Sequence, residues 1–337
     1  MPTTCAIRSS RVSTTTSSCG GASFSNPVPA RGVRVHWENI PPEIRAAFEK
    51  RLGGRVVEAV TQPTGFSPGL AARLRLEDGR RFFLKAVHET ANPDTPGIHR
   101  REARVVAALP GNAPVPTFLW SYDEEGWVAL CFEDVDGRHP HEPWTEPDLA
   151  LVVRTLKDMA DVLTPSPFPT DETVGEWFEH TINGWQLALG RGEDRLESWC
   201  AENLSALAEL EAEAPMLVDG DSLLHCDVRA DNLLIARERV YVVDWPWVRL
   251  GPSWVDWVGM APSVAMQSGP QPEDFMSRFD LSLVPDRAID AAVCTIAGYF
   301  VVRALEPPPP GIPTVRAFQA AQGRAAVAWL RQRTGWV

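Results

Sequence analysis

Three side chains between residues 225 and 245 have the types and spacing that phosphoryl transfer requires. Asn232 follows Asp227 by five residues, and Asp244 ends a short apolar run twelve residues beyond Asn232. Transfer of a phosphoryl group from ATP depends mainly on positioning and charge neutralisation. It needs a carboxylate that orients the attacking hydroxyl and takes its proton, and oxygen ligands that hold Mg²⁺. We assign the first role to Asp227 and the metal to Asn232 and Asp244.

The segment between the two metal-ligand candidates predicts a tight hairpin. Two apolar, β-prone runs flank the polar turn Arg237 to Arg239, so the chain would return Asp244 to the side of Asn232. Taken singly, an Asp or Asn in a loop is as well explained by turn formation, and for Asp231 that explanation is preferred. His225 is interpreted as a buried imidazole that braces the loop backbone.

The stretch from His225 to Trp245 resembles the HxDxxxxN motif and the following Asp-aromatic pair of the aminoglycoside phosphotransferase family. That family shares the protein-kinase-like fold, and the resemblance implies ATP- and Mg²⁺-dependent transfer to a small-molecule hydroxyl. Cys226 stands where many members have Gly, and Arg229 where they have His or Lys. For Arg229, a catalytic contact with the γ-phosphate and a surface salt bridge are both open.

The resemblance requires a small lobe ahead of this segment, with a phosphate-covering loop, a strand lysine and a helix glutamate. Residues 56–60, 70–76 and 81–87 have the pattern of strands, and Asp78-Gly79 that of a hairpin turn. The loop is TGFSPG, residues 64–69, which matches neither GxGxxG nor the Walker pattern. Its nucleotide-binding residues would be Gly65, Phe66, Ser67 and Gly69.

Lys85 is the candidate strand lysine, and it lies in an apolar strand of a chain that contains only two other lysines, Lys50 and Lys157. Glu102, on the helix predicted over residues 99–109, is its candidate partner. Together they would orient the α and β phosphates. Glu89 is a weaker alternative partner, and ordinary exposed charges are the alternative for the pair.

Residues 117–137 predict two strands around a Glu-Glu-Gly turn, followed by a connector that resembles the hinge of the family. By that resemblance, backbone groups around Phe132 and Glu133 would hydrogen-bond the adenine edge.

Beyond residue 140 the apolar spacing becomes helical over residues 148–163, 172–189, 194–213, 253–266, 285–305 and 313–333. This agrees with the fold class that the resemblance implies, α+β and protein-kinase-like: a small lobe with an antiparallel sheet and a larger, mainly helical lobe. We expect a disordered extension over residues 1–33, the nucleotide-binding lobe over 34–134, and the large lobe with catalytic loop and acceptor site over 135–337. The extension, rich in Ser and Thr, is either non-functional, for instance from a start codon set too early, or a transit segment.

For other residues of the large lobe we prefer a structural role over a role in binding. The four tryptophans Trp245, Trp247, Trp254 and Trp257 are assigned to core packing instead of sugar stacking. The acidic residues Asp171, Glu172, Glu176 and Glu179 are assigned to a solvated helix face, with an acidic rim for an amine-bearing acceptor as the alternative. For Asp256, an anchor for the catalytic loop and a helix-surface position are both open.

Composition excludes several other classes of protein. No apolar run reaches membrane-spanning length, and a net charge of −12 argues against nucleic acid as a partner. Six scattered cysteines indicate reduced thiols and a cytoplasmic location. The sequence decides neither the oligomeric state, nor ATP against GTP, nor the acceptor, which in this family includes antibiotics, choline, homoserine and sugars. A catalytically silent nucleotide-binding regulator is the alternative from another class.

Overall fold

The computed structural model describes residues 30–66 and 68–337. Residues 1–29, the greater part of the predicted disordered extension, and Ser67, a predicted nucleotide-binding residue, lie outside the described residues. Residues 30–33 are described and pair with the rest of the protein: the Gly32 N–H donates to the Gly65 carbonyl at 2.9 Å and the Val33 N–H to the Gly311 carbonyl at 2.9 Å.

The first lobe is a five-stranded antiparallel sheet with one helix on each side, and we call it the sheet lobe. Its strands lie in the order β1-β2-β3-β5-β4. Their bounds are β1 (Val56–Thr61), β2 (Leu70–Leu76), β3 (Arg81–His88), β4 (Phe118–Glu124) and β5 (Trp127–Glu133). The helices are α1 (Pro42–Leu52) and α2 (Thr95–Ala108). The strands agree with the predicted segments to within one or two residues, because each has its own apolar alternation and turn signal.

The two faces of the sheet belong to different hydrophobic cores. Leu84 and Ala86 of β3 pack with Phe48 of α1 in a core that is confined to the sheet lobe. Side chains alternate along a strand, so Lys85 points to the opposite face, where it pairs in register with Leu130 of β5. Leu130 belongs to the core that continues into the second lobe. The alternation thus directs Lys85 toward the space between the lobes.

The second lobe, which we call the helical lobe, carries the remaining nine α-helices of the described residues and two short antiparallel pairs of strands. The helices are α3 (Glu146–Val162), α4 (Val174–His180), α5 (Gly184–Ala188), α6 (Ser198–Glu202), α7 (Leu204–Leu217), α8 (Trp254–Met266), α9 (Pro272–Met276), α10 (Asp286–Ala304) and α11 (Val315–Thr334). The strands are β6 (Ser222–Leu224) with β9 (Arg249–Gly251), and β7 (Leu233–Ala236) with β8 (Arg239–Val242). No helix among the described residues is long and apolar enough to cross a lipid bilayer.

The continuous helix predicted over residues 172–189 is wrong, because the chain breaks between α4 and α5. A Cβ on Gly184 would lie 2.1 Å from the carbonyl oxygen of Gly298, so the backbones of α5 and α10 are in direct contact. That contact fixes the direction of α5 independently of α4. The helix predicted over 194–213 is likewise divided, into α6 and α7 at Asn203.

Candidate functional site

The loop that carries Asp227 is held by a carboxylate and an imidazole, both buried. Asp256 of α8 accepts hydrogen bonds from the backbone N–H groups of His225 and Cys226, each at 2.8 Å. Nε2 of His225 lies 3.0 Å from the Val243 carbonyl oxygen, and its Nδ1 accepts the Asp227 N–H at 3.2 Å. Burial lowers the pKa of His225 to about 4, so the ring is neutral and braces the loop as predicted from the sequence. Of the two interpretations of Asp256, the geometry selects the loop anchor.

The hairpin β7-β8 brings Asn232 and Asp244 to the same side of the cleft. The Val243 N–H donates to the Asn232 carbonyl at 2.9 Å, which places Asp244 directly after a residue bonded to Asn232. The Asn232 amide nitrogen donates to the backbone oxygen of Asp227 at 2.8 Å and to its carboxylate at 3.2 Å. Both residues line one cavity together with Lys85, which we call the Lys85 cavity.

Lys85 pairs with two carboxylates, Glu102 in the sheet lobe and Asp244 in the helical lobe. Its Nζ lies 2.9 Å from Oδ1 of Asp244 and forms an ion pair with Glu102, and the three side chains are 12%, 28% and 2% exposed. Glu89, the alternative partner, is exposed on the surface. Burial raises the pKa of Asp244, but Lys85 outweighs this effect and lowers it to about 2. Burial raises the pKa of Glu102 to about 7, with Lys85 opposing. Lys85 therefore pairs with two carboxylates at once, one of them fully buried and one partly exposed.

Asp227 and Arg229 lie in a second cavity that adjoins the first, which we call the Asp227 cavity. Burial is the main reason that the pKa of Asp227 rises to about 7, and Arg229 opposes the rise. The guanidinium of Arg229 donates to Asp227 at 2.6 Å and to Asp231 at 3.0 Å. It also lies 5.3 Å from the ring centroid of Phe66. Arg229 is thus a buried partner of Asp227, not a surface salt bridge.

The loop predicted to cover the phosphates is paired, at Gly65 and Gly69, with the chain segment that precedes α1. The Gly65 N–H donates to the Ala30 carbonyl at 3.1 Å, and the Gly69 N–H to the Val33 carbonyl at 3.2 Å. Gly69 has a φ of 111°, and a Cβ there would lie 2.4 Å from the Ala86 carbonyl oxygen, which explains the glycine. Two backbone donors of the loop are therefore already engaged.

Arg34 is a site residue that sequence reasoning missed. Its guanidinium lines the Lys85 cavity and donates to the loop carbonyls of Gln62, at 3.1 Å, and Thr64. Burial lowers the pKa of Arg34, while the Asp244 carboxylate raises it. His99 of α2 was missed as well: it lines the same cavity, and burial lowers its pKa to about 3, so it is neutral. No local sequence pattern marks either residue, because both are brought to the cavity by the packing of segments that are distant along the chain.

Phe132 and Glu133 end β5 and line the Lys85 cavity, as do Asp134 and Val135. The Glu133 N–H donates to the Thr117 carbonyl at 2.9 Å, so it is engaged within the sheet lobe. The Asp134 carboxylate accepts from the guanidinium of Arg73 at 2.6 Å, which ties the connector to β2. The Glu133 N–H is therefore not free for a ligand.

The donor set of the cleft suits a metal that is shared with a substrate. Among residues 30–66 and 68–337, no three or more His, Cys, Asp or Glu side chains are grouped to hold a metal ion. The candidate ligands are one carboxylate, Asp244, and one amide, Asn232. Mg²⁺ characteristically uses one or two protein oxygen ligands together with substrate phosphates and water.

A family model described as "Phosphotransferase enzyme family" matches residues 64–305 of the chain. No curated protein sequence gave a significant match.

Many solved structures share the fold. One is a choline/ethanolamine kinase family protein from Mesorhizobium loti, with 13% identity, 86% of this chain and 94% of that chain covered, and a TM-score of 0.58. A second is an amicoumacin kinase in complex with AMP-PNP and Ca²⁺, with 10% identity, 85% and 96% covered, and a TM-score of 0.52. A third is the GDP complex of an aminoglycoside 2'-phosphotransferase-IIIa, with 11% identity, 87% and 98% covered, and a TM-score of 0.60. These likenesses confirm the predicted two-lobed, protein-kinase-like fold.

Proposed function

Because the chain belongs to the phosphotransferase enzyme family and is a small-molecule kinase, we propose that it moves the γ-phosphate of ATP to an acceptor hydroxyl in the Asp227 cavity. The hydroxyl oxygen attacks the γ-phosphorus, the bond to the β-phosphate oxygen breaks, and ADP leaves. The hydroxyl proton passes to Asp227. The observation that carries this proposal is the placement of Asp227 and Lys85 in adjoining cavities that share Asp244 as a wall.

Asp227 is suited to the role of base because its carboxylate is oriented from both sides. Asn232 donates to one oxygen and Arg229 to the other. A pKa of about 7 lets the carboxyl accept a proton and release it at neutral pH. Arg229 thus orients the base, and it also keeps positive charge beside the reacting phosphate.

Asn232 and Asp244 are proposed to hold Mg²⁺, which when bound neutralises the phosphate oxygens. Lys85, braced by Glu102, then orients the α and β phosphates. Arg34 adds a cation on the side of the phosphate loop formed by Gly65, Phe66 and Gly69. For the adenine we propose backbone contacts at the end of β5 that begin with the Glu133 carbonyl and not its N–H, with Phe132 against the ring.

Solved structures of the same fold support binding of a nucleotide together with a divalent metal, but the nucleotide differs between them. An amicoumacin kinase was solved with AMP-PNP and Ca²⁺, and an aminoglycoside 2'-phosphotransferase-IIIa with GDP. We choose ATP and Mg²⁺ for this chain. We also place the reaction in the cytoplasm, because the four described cysteines, Cys131, Cys200, Cys226 and Cys294, are free thiols.

Replacing Asp227 by Asn tests the assignment of the base. The amide keeps the shape of the side chain but cannot take the proton, so kcat should fall by about 10²- to 10⁴-fold. The affinity for Mg·ATP, measured by calorimetry, should stay within about threefold of the wild type, because Asp227 contacts the acceptor.

Two outcomes would count against the proposal in different ways. A variant as active as the wild type would remove Asp227 from the role of base. A wild type that binds Mg·ATP and transfers phosphate to no alcohol in a broad panel would favour the silent regulator.

A further inference from the structure

The charged side chains of the Asp227 cavity are all engaged by the protein itself. Three carboxylates line it, and each has a partner: Asp227 has Arg229, Asp244 has Lys85, and Asp256 has two backbone N–H groups. The second lining arginine, Arg303, is paired with Glu306 at 2.9 Å. No charged side chain of the described residues that line the cavity is therefore without a hydrogen-bonding or ion-pair partner in the protein.

The acidic residues expected from the sequence as a possible rim have other partners. Glu172 forms ion pairs with Arg101 and Arg249, and Glu176 closes the capping box at the start of α4. Together with Asp171 and Glu179, they are absent from the described lining of the Asp227 cavity. An acceptor with several ammonium groups would therefore find no carboxylate free to neutralise it.

Most of the remaining wall of this cavity is apolar and aromatic. The cavity has a volume of about 410 Å³. Its aromatic members are Phe66, Trp177, Phe178, Trp247, Tyr299, Phe300 and Phe318. Trp247 was assigned to the core with its three neighbours, and for this residue that prediction is wrong: it is 40% exposed, whereas Trp245 is 0% exposed. An exposed tryptophan on a cavity wall offers a flat apolar surface to a ligand.

Gln322 of α11 places a polar atom without a partner at the same wall. The side chain is 1% exposed, and its amide nitrogen has no hydrogen-bond partner among the described residues. A buried amide donor that is left unpaired is costly, and few remain so in native proteins. A ligand oxygen in the cavity would satisfy it.

We propose that the acceptor is an uncharged alcohol with a broad apolar or aromatic face, one hydroxyl directed at Asp227 and another oxygen accepting from Gln322. This inference rests on the proposed kinase activity. It narrows the acceptor to a class that excludes polycationic aminoglycosides and small quaternary amines.

The test measures binding of matched alcohols to the wild-type protein by tryptophan fluorescence, with and without Mg·ATP. Methyl, phenyl and 2-naphthyl β-glucoside carry the same sugar hydroxyls and differ in apolar area. Burial of an aromatic ring against the cavity wall removes apolar surface from water and makes binding more favourable. The Kd should therefore fall at least tenfold from the methyl to the naphthyl compound. Kanamycin and choline should bind at least tenfold more weakly than the naphthyl compound.

Variants of the wall provide a second test. Trp247→Glu should weaken naphthyl glucoside at least tenfold. The control is Leu189→Glu, which places an acid on an exposed apolar residue, 41% exposed, away from the cavity and should leave the Kd unchanged. Gln322→Leu should weaken all three glucosides about tenfold while the midpoint of thermal unfolding does not fall, because a buried unpaired amide is removed.

The proposal is overturned if the three glucosides bind equally, if none of them binds, or if kanamycin or choline binds more tightly than the naphthyl compound. These outcomes are separate from failure of the kinase assignment, which would be an absence of Mg·ATP binding measured without any alcohol.

Discussion

At the scale of the residue, the cleft is built from charges whose partners come from distant parts of the chain. Lys85 bridges Glu102 and Asp244, and Arg229 bridges Asp227 and Asp231. A buried charge is tolerated only where such partners are in place. Arg34 and Glu211 are two further buried or partly buried charged residues whose partners cannot be read from the neighbouring sequence.

Replacing Arg34 by Gln should weaken binding of Mg·ATP about tenfold. The guanidinium brings positive charge to the Lys85 cavity and donates to the carbonyls of Thr64 and Gly65 in the predicted phosphate-covering loop. A charge-assisted interaction of this kind contributes about 1.5 to 3 kcal/mol. Calorimetry in the presence of Mg²⁺ measures the effect. Arg31→Gln is the control, because its N–H and not its side chain bonds Thr314. Equal affinities in both variants and the wild type would remove Arg34 from the nucleotide site.

Glu211 should make the protein less stable as the pH rises. Burial raises its pKa from 4.5 to about 7 although the N–H groups of α5 donate to it. The folded state therefore holds this proton where the unfolded state has released it. Between pH 4.5 and pH 7 the folded protein binds more protons, so the free energy of unfolding falls with increasing pH by at most about 3 kcal/mol.

Comparison with Glu211→Gln isolates this effect from other titrating groups. The variant cannot ionise, so its free energy of unfolding in urea, relative to the wild type, should increase between pH 4.5 and pH 8. Glu213→Gln, on the same helix but exposed and paired with Arg287, should show no such increase. A pH-independent difference between wild type and Glu211→Gln would contradict the assignment.

At the scale of the element, two residues of the segment 225–245 have backbone conformations that a residue with a Cβ adopts only at a steric cost. Cys226 has a φ of 62° and Asp244 a φ of 69°, both in the left-handed region that favours glycine. The two residues are held there by Asp256, through the Cys226 N–H, and by Lys85, through the Asp244 carboxylate. Strain of this kind persists where surrounding interactions determine the conformation.

Of two substitutions at Cys226, we expect Gly to give a more stable protein than Ala, the reverse of the usual order. Cys226→Gly removes more side chain than Cys226→Ala, yet Gly adopts a positive φ without steric cost. We expect the Gly variant to be the more stable of the two by about 0.5 to 1 kcal/mol in urea unfolding. If the Ala variant is the more stable, the loop does not hold residue 226 in the left-handed conformation.

At the scale of the whole molecule, the predicted phosphate-covering loop contacts the helical lobe as well as the sheet lobe. The rings of Phe66 in the loop and Phe318 in α11 meet edge to face, with their centroids 5.2 Å apart. The segment before α1 reinforces this contact, because Val33 bonds Gly311 and Arg31 bonds Thr314, on the helical lobe. The two lobes are therefore tied on this side through α11 and the segment just before it.

Replacing Phe318 by Ala should release the loop from the helical lobe. Hydrogen exchange at the Gly65 and Gly69 amides should become at least tenfold faster, because their acceptors in the segment before α1 lose their support. Phe275→Ala, a buried core change in the same lobe with a comparable loss of stability, is the control. Similar acceleration in both variants would show general destabilisation, not a specific contact.

The sequence by itself determined the elements whose signals are local. The alternation in β3 fixes which face Lys85 occupies, and the spacing from Asp227 to Asp244 with its hairpin brings the metal-ligand candidates together within about twenty residues of chain. Such contacts depend on backbone periodicity and turn chemistry, which are written into neighbouring residues. The fold class was implied by the resemblance of residues 225–245 to the family motif, and the order of these elements agreed with it.

Only the tertiary structure decided which distant groups meet. Arg34 enters the Lys85 cavity from ahead of the first helix, and Phe318 and Gln322 complete the Asp227 cavity from the last one. The break before Gly184 and the engaged N–H of Glu133 likewise depend on partners elsewhere in the chain. No periodicity encodes these contacts, because they arise from the packing of whole helices and lobes. The candidate catalytic and metal-binding residues could therefore be identified from the sequence, whereas the shape and charge of the Asp227 cavity depend on the tertiary fold.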